Sequence, residues 1–173
     1  MSRKLCQFLL FFAGLLASIG LDQWTKGLAV RHLMGRAPFV IWDGVFELYY
    51  SENRGAAFGM LQGKQGLFFL IAAVVIVGLL WILWRMPAKR RYLPLMASLF
   101  LLLSGAAGNL IDRARGGYVV DFLYFKLIDF PIFNVADCYV VVSTILLILL
   151  FFFYYSDEEL SFLSLPGKVR PGK

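Results

Sequence analysis

Four apolar segments of membrane-spanning length constrain this chain more than any other feature of its sequence. They cover residues 5–21, 67–84, 93–111 and 135–155 of the 173-residue chain. At about 1.5 Å of rise per residue, a helix of this length reaches across about 30 Å of hydrocarbon. The sequence therefore predicts a mainly α-helical membrane protein, built as a bundle of four transmembrane helices with both termini on one side.

The distribution of basic residues sets the expected orientation of this bundle. Basic residues are densest in the short connection at residues 85–92 and in the N-terminal tail. Short loops rich in Lys and Arg stay on the cytoplasmic side, so we expect both termini in the cytoplasm. Because the basic residues lie at segment ends and form no continuous stripe, the net charge of +6 does not indicate nucleic acid binding. We take residues 5–21 as a retained first helix rather than a cleaved signal peptide, because the chain spans again.

The long segment after the first span is expected to form structure of its own. Its first part is predicted to be an amphipathic continuation through Lys26 to Leu33, a short periplasmic helix. A small β-sheet platform is predicted at about residues 37–60, also on the periplasmic side. The Asp43-Gly44 pair between β-forming residues is a strong hairpin signal. The predicted strands of the platform cover residues 39–42, 45–50 and 56–60. Its aromatic residues suit the headgroup level of a bilayer.

Two aspartates, Asp121 and Asp137, are the sharpest candidates for chemistry. Asp137 lies near the start of the last predicted helix, where the helix dipole favours a negative charge. Asp121 is predicted in the apolar loop 116–133, and apolar surroundings raise the pKa of a carboxyl group. If this loop folds back over the site, the two could share a proton and act as a general acid and base. Spacing alone leaves open the alternative of a helix-terminal charge and an ordinary loop residue.

The third predicted helix places small and polar residues on one face. Gly108 and Asn109 lie three and four positions after Gly105, and four and three positions before Asp112, so all four share one face. The glycines are explained well by close helix packing. Asn109 and Asp112 face the bundle and are better explained as part of a site.

Other hydrolytic chemistry lacks the residues that it needs. His32 is the only histidine of the sequence, so an HExxH zinc site is impossible, and there is no CxxC motif. Cys6 and Cys138 are expected at opposite faces of the bilayer. We therefore expect neither a metal nor another cofactor.

Five motifs, in this order and spacing, resemble the bacterial lipoprotein signal peptidases of the signal peptidase II family. They are D-Q-W-T-K at 22–26, N-R-G-A-A-F at 53–58, G-N-L-I-D-R at 108–113, V-V-D-F at 119–122 and F-N-V-A-D at 133–137. The resemblance covers about residues 5–155. It implies one peptidase domain over residues 1–155, and residues 156–173 are then a mobile cytoplasmic tail outside it.

The resemblance also implies an activity, partners and a location. Family members are aspartic endopeptidases of the bacterial cell inner membrane that cleave prolipoproteins just before a cysteine carrying diacylglycerol, at the periplasmic face. The implied partners are these substrates, membrane lipid and the inhibitory cyclic peptide globomycin, and we expect a monomer. The catalytic pair falls on Asp121 and Asp137. The supporting residues fall on Asp22, Lys26, Asn53, Gly55, Ala56, Gly108, Asn109, Asp112, Arg113, Asn134 and Ala136.

Two alternatives from other classes stay open at this point. A small proton-coupled carrier would use the carboxylates as a relay across the membrane. A structural assembly factor would tolerate the loss of either aspartate. The acids cluster at one end of the predicted spans and are missing from the inner halves, which favours a reaction at a surface over a pathway across the bilayer.

Overall fold

The computed structural model describes residues 2–55 and 65–164 of the chain. Four helices and one small antiparallel sheet make up this part of the protein. The helices are α1 (Arg3–Leu33), α2 (Gln65–Arg85), α3 (Leu93–Gly116) and α4 (Val135–Leu149). The strands are β1 (Phe39–Trp42), β2 (Phe46–Asn53) and β3 (Val119–Phe125), in the order β1-β2-β3.

Three helical segments of the described residues are long and apolar enough to cross a membrane. They are Arg3–Leu33, Arg90–Gly116 and Val135–Tyr154. Helix α2 adds a shorter apolar stretch, Phe69–Arg85. Three of the four predicted spans are thus supported by length and composition, and the span at residues 67–84 stays a prediction.

Helix α1 includes the predicted amphipathic continuation of the first span. It runs without a break for 31 residues to Leu33, so the predicted short helix is part of α1. No proline interrupts it before Pro38, and Ala29 and Leu33 are buried against β3. Asp22 and Lys26, expected beyond the end of the first span, therefore lie one turn apart on one continuous helix.

The predicted hairpin is present. Strands β1 and β2 pair around Asp43-Gly44, with Phe39 opposite Leu48. Gly44 has φ = 70°, a left-handed conformation that glycine adopts without steric cost. The predicted strand at residues 56–60 lies outside the described residues.

The third strand of the sheet comes from a segment that was predicted to be a loop. β3 lies within residues 116–133 and pairs antiparallel with β2, so the loop prediction is wrong for this part of the chain. Val120 and Phe122 pack against the end of α1, which explains why so apolar a segment forms a strand. Asp121 consequently lies in a strand and is held in register opposite Ser51.

Helix α3 is the central helix and packs against the other three. Gly105 allows its close approach to α4, since a Cβ at this position would lie 2.5 Å from the Ala136 carbonyl oxygen. The outward faces of α2 and α4 expose large apolar side chains, among them Val77 and Ile145. Apolar side chains on both the inward and outward faces of a helix are typical of membrane-spanning helices.

Part of the predicted mobile tail is held against the bundle. Arg91 forms an ion pair with Glu159, with 2.9 Å between Nε and Oε1. The Tyr92 hydroxyl donates to the Glu159 carbonyl oxygen at 2.9 Å, and the Phe162 ring packs edge-on against the Tyr92 ring. These contacts keep residues 156–164 at the end of the bundle that carries the 85–92 connection.

Candidate active site

A buried lysine joins α1 to α3. Lys26 Nζ lies 2.9 Å from Asp22 Oδ2 and 2.9 Å from Asp112 Oδ2. It also donates to Asn109 Oδ1 at 2.9 Å. Asp22 is completely buried and Lys26 is 3% exposed, so one cation compensates two carboxylates away from water. Buried charges are tolerated when they are paired in this way.

Small residues make room for the Asp22 carboxylate. A Cβ at Gly108 would lie 2.5 Å from Asp22 Oδ2, which is too close for any side chain at this position. The other oxygen, Oδ1, accepts a hydrogen bond from the Ala136 backbone N–H at 2.9 Å. Gly108 and Ala136 thus let α3 and α4 close around an acid of α1.

Gln23 is a member of this network that sequence reasoning missed. Its Nε2 donates to Asp112 Oδ1 at 2.8 Å and lies 3.2 Å from Asp22 Oδ2. Asp112 Oδ2 also accepts from the backbone N–H of Val120 at 3.3 Å, which ties α3 to β3. The D-Q-W-T-K motif contained Gln23, but its partner Asp112 is distant in sequence, so the motif alone did not reveal the role of Gln23.

Asp137 is fixed at the start of α4. Asn134 is the N-cap and accepts from the Asp137 N–H at 3.0 Å, while Asp137 Oδ2 accepts from the Asn134 N–H at 3.1 Å. This reciprocal pair is a capping box. The remaining oxygen, Oδ1, accepts from Asn109 Nδ2 at 2.8 Å. Two hydrogen bonds therefore orient this side chain, one from the N-cap of α4 and one from α3.

Asp121 is held by two amides. Asn53 Nδ2 donates to Oδ2 at 3.0 Å, and Asn134 Nδ2 donates to Oδ1 at 2.5 Å. Asn134 reaches this position because the preceding Phe133 folds back and forms a backbone bridge with Leu123, two residues after Asp121. The segment therefore folds back, which is the condition for the two aspartates to share a site, and this brings the start of α4 to β3.

The two aspartates belong to one continuous network. Asn134 touches both of them, and its Nδ2 also lies 3.2 Å from Asn109 Oδ1. Asn109 in turn links Asp137 to Lys26. Neutral amides thus connect Asp121, Asp137 and the buried lysine, and fix their geometry without adding charge.

The carboxyl group of Asp121 has a perturbed acidity. Burial raises its pKa to about 6, and the nearby negative charge of Asp137 acts in the same direction. Hydrogen bonds from Asn53 and Asn134 oppose the shift. Asp121 is 3% exposed, so loss of hydration is the dominant cause. A carboxyl group of this kind can keep a proton close to neutral pH and give it up during a reaction.

We expect this shift to appear as a pH-dependent stability difference between the wild type and Asp121→Asn. Between pH 4 and pH 6 an unfolded chain ionises this carboxyl while the folded protein keeps it protonated. The wild type therefore loses about 2–3 kcal/mol of stability as the pH rises from 4 to 6, with no further loss above that, and the asparagine variant does not. Unfolding in detergent from pH 4 to pH 7.5 measures the gap between the two proteins. If the difference in stability between the two proteins did not vary with pH, the raised pKa of Asp121 would be contradicted.

Both aspartates line one cavity of about 560 Å³. Its polar end is formed by Asn53, Asn109, Arg113, Asp121 and Asp137. Its walls are apolar and come from the segment before α4 and from α4 itself, with Phe130, Pro131, Ile132, Phe133, Val140, Val141 and Val142. Val141 and Val142 are also exposed on the outer face of α4, so the cavity adjoins the apolar exterior of the bundle.

The remaining predicted site residues take different positions. Arg113 donates to the Gly55 carbonyl oxygen at 2.9 Å, and Gly55 N–H donates to Asn53 Oδ1 at 3.0 Å. Arg113 thus steadies the end of the platform, whereas Asp112 is held by Lys26 and Gln23. Ala56 lies outside the described residues.

No set of three or more His, Cys, Asp or Glu side chains within residues 2–55 and 65–164 is grouped as a metal site would require. His32 is exposed near the end of α1. Cys138 lines the cavity beside Asp137, a position that its sequence context did not indicate.

The comparisons of sequence agree on one family. Residues 15–153 match the family model described as signal peptidase (SPase) II. A lipoprotein signal peptidase of Caldanaerobacter subterraneus subsp. tengcongensis is 48% identical over 126 residues, which are 72% of this chain and 83% of that protein. One of Clostridioides difficile is 39% identical over 137 residues, or 79% and 90% of the two chains.

A solved structure has the same fold. It is described as a bacterial membrane enzyme determined by the in meso method at 1.9 Å resolution. It superposes with a TM-score of 0.73 at 29% identity, over 84% of this chain and 94% of that one. Because the family model and the relatives both cover most of its length, this chain belongs to the signal peptidase II family.

Proposed function

We propose that this protein is an aspartic endopeptidase that cleaves prolipoproteins immediately before a diacylglyceryl-modified cysteine, with Asp121 and Asp137 as the catalytic pair. Family membership supports the broader statement that it is a membrane peptidase that removes signal peptides from prolipoproteins. The main support for the more specific proposal, an aspartic peptidase that acts on a lipidated substrate, is the placement of both aspartates at the polar end of a cavity with apolar walls.

The shape of this cavity suits a lipidated, membrane-embedded substrate. Val140, Val141 and Val142 form part of its wall, and Val141 is 58% exposed on the outer face of α4. In a bilayer this face meets acyl chains. A signal helix and its attached acyl chains can therefore enter from the lipid, while the peptide bond to be cut reaches the polar end.

In the proposed reaction, the pair activates one water molecule. The Asp137 carboxylate takes a proton from the water molecule, and the water oxygen attacks the carbonyl carbon of the substrate. Protonated Asp121 gives its proton to the carbonyl oxygen. Asp137 then protonates the leaving nitrogen, the C–N bond breaks, and a hydroxyl proton of the intermediate returns to Asp121. Atoms and charge balance over one turnover, and Asn109 and Asn134 hold Asp137 in place throughout.

The proposed orientation follows from the density of basic residues. The 85–92 connection and the N-terminus are placed in the cytoplasm, and the sheet and the cavity at the periplasmic face of the inner membrane. We propose that residues 67–84 also cross the membrane, which brings the number of spans to four. By family resemblance we also propose that the protein acts as a monomer and that globomycin inhibits it.

A matched pair of substrates tests this function. The purified protein should cut a prolipoprotein carrying diacylglycerol on its cysteine, and mass spectrometry should find that cysteine at the new N-terminus. The same peptide without the lipid should be cut at least about a hundredfold more slowly, because the acyl chains supply much of the binding energy. Equal rates for the two peptides would contradict the lipid requirement, and cleavage at another bond would contradict the proposed position.

The hairpin turn of the platform offers a second prediction. Gly44→Val should raise KM several-fold with little change in kcat, because valine is strained at φ = 70° and the distorted platform would position substrate poorly. Nothing lies within 4 Å of the Cβ position, so the effect would come from the backbone alone. Gly44→Asn is the control, since asparagine tolerates this conformation. An unchanged KM in the valine variant would count against a role of the platform in substrate binding.

A further inference from the structure

A second cavity lies at the opposite end of the bundle from the acidic network. It has a volume of about 620 Å³ and is lined by residues of α1, the 85–92 connection and the start of α3. Gln7 of this cavity and Asp22 of the network are both on α1, 15 positions apart (22 − 7). At 1.5 Å per residue, about 22 Å of helix separates them. The cavity is therefore independent of the proposed active site.

Three cations surround this cavity. Arg3, Lys89 and Arg90 all line it. The neighbouring Arg91 is already paired with Glu159, whereas the ion pairs of the described residues include none of these three. Three positive charges around one cavity attract an anion.

One wall of the cavity carries a buried hydrogen-bond acceptor with no donor. Gln7 is 8% exposed, and in the described part of the chain its Oε1 has no hydrogen-bond partner. Leaving a buried acceptor unsatisfied is costly, and nearly all such groups in proteins have a partner. An occupant of this cavity is therefore expected to bring a hydrogen-bond donor as well as a negative charge.

The cavity also adjoins the apolar exterior of the bundle. Leu10 and Leu93 line it, and both are exposed on the outer surface, at 57% and 44%. Met96 closes the inner side. Apolar side chains that run from a charged cavity onto a lipid-facing surface suit a molecule with acyl chains better than a free small anion.

We propose that this cavity binds an anionic phospholipid whose headgroup carries hydroxyl groups, as phosphatidylglycerol does. The phosphate lies among Arg3, Lys89 and Arg90, a headgroup hydroxyl donates to Gln7 Oε1, and the acyl chains follow Leu10 and Leu93. An ammonium headgroup also offers donors, but three cations would repel it. This inference is separate from the proposed peptidase function and needs neither aspartate.

Lipid binding to the full-length protein in a neutral detergent tests the proposal. Native mass spectrometry should show that phosphatidylglycerol is retained at least about tenfold more strongly than phosphatidylcholine. Arg3→Gln and Lys89→Gln should each weaken this binding about fivefold, which corresponds to about 1 kcal/mol per basic residue. Arg31→Gln is the matched control, because Arg31 is exposed near the other end of α1, and it should change nothing.

The role of Gln7 has its own control lipid. Phosphatidylmethanol is anionic but has no headgroup hydroxyl, so it should bind more weakly than phosphatidylglycerol. Gln7→Leu should remove that difference, and should raise the melting temperature of the lipid-free protein because it removes an unsatisfied acceptor. Equal retention of phosphatidylglycerol and phosphatidylcholine, or unchanged binding in an Arg3, Lys89 and Arg90 triple glutamine variant, would overturn the proposal. Displacement by soluble glycerol phosphate at the affinity of the lipid would also overturn it, in favour of a site for free phosphoesters.

Discussion

Replacing Lys26 with methionine is expected to lower the free energy of unfolding by about 3–5 kcal/mol. Lys26 is buried and lies 2.9 Å from a carboxylate oxygen of both Asp22 and Asp112. Methionine fills a similar volume, but it would leave two acids without a counter-charge in a space closed to water. The loss should lower the melting temperature by on the order of 10 °C for a chain of this length.

A compensated variant separates charge from packing. Lys26→Met combined with Asp22→Asn and Asp112→Asn removes all three charges and keeps the side-chain shapes close to the original. It should recover most of the lost stability, because neutral replacements of a buried ion network are often tolerated. Unfolding in detergent measures all the variants. If the single variant were as stable as the wild type, the network would not be the electrostatic centre of the bundle.

Much of the architecture could be predicted from local patterns. Apolar segments of span length predicted the helices, and Asp43-Gly44 predicted the hairpin, because both features depend on nearby residues alone. The strand β3 was missed because its partner β2 is about 70 residues away and its pairing is a tertiary event. The amphipathic continuation of the first helix was predicted, but the partners of Lys26 on α3 were not, because they are distant in sequence.

The candidate site, like the fold, could be predicted only in part. The five motifs indicated which polar residues belong to one site, but their order in the sequence does not reveal which side chains are in contact. Asp112 is held by Lys26 and Gln23, because α1 presents both side chains to α3. The bridge between Phe133 and Leu123 could not be predicted, since it rests on backbone hydrogen bonds that no residue type requires.

Asn substitutions at the proposed catalytic pair should have the largest effect on activity. Asp121→Asn and Asp137→Asn should each reduce the turnover of a lipidated prolipoprotein by on the order of a thousandfold or more. Asparagine keeps the size of the side chain, so both variants should still fold. It cannot take a proton from water or give one to a leaving group, so the chemistry is lost.

The pair should also act as a unit. If the two aspartates perform one proton relay, removing the second should cost little once the first is gone, as is found for catalytic groups that act together. Asp157→Asn is the control for the replacement of an aspartate by asparagine. Asp157 is exposed in the segment after α4, at the far end of the bundle from the cavity, and its variant should keep full activity.

The most direct test is a single-turnover cleavage assay with a diacylglyceryl-modified prolipoprotein, run beside unfolding measurements on the same preparations. We expect Asp121→Asn, Asp137→Asn and the double variant to be folded, and all three to be inactive to a similar degree, while Asp157→Asn cleaves at the wild-type rate. A folded Asp121→Asn or Asp137→Asn protein that still cuts the substrate at a rate close to that of the wild type would contradict the assignment of Asp121 and Asp137 as the catalytic pair.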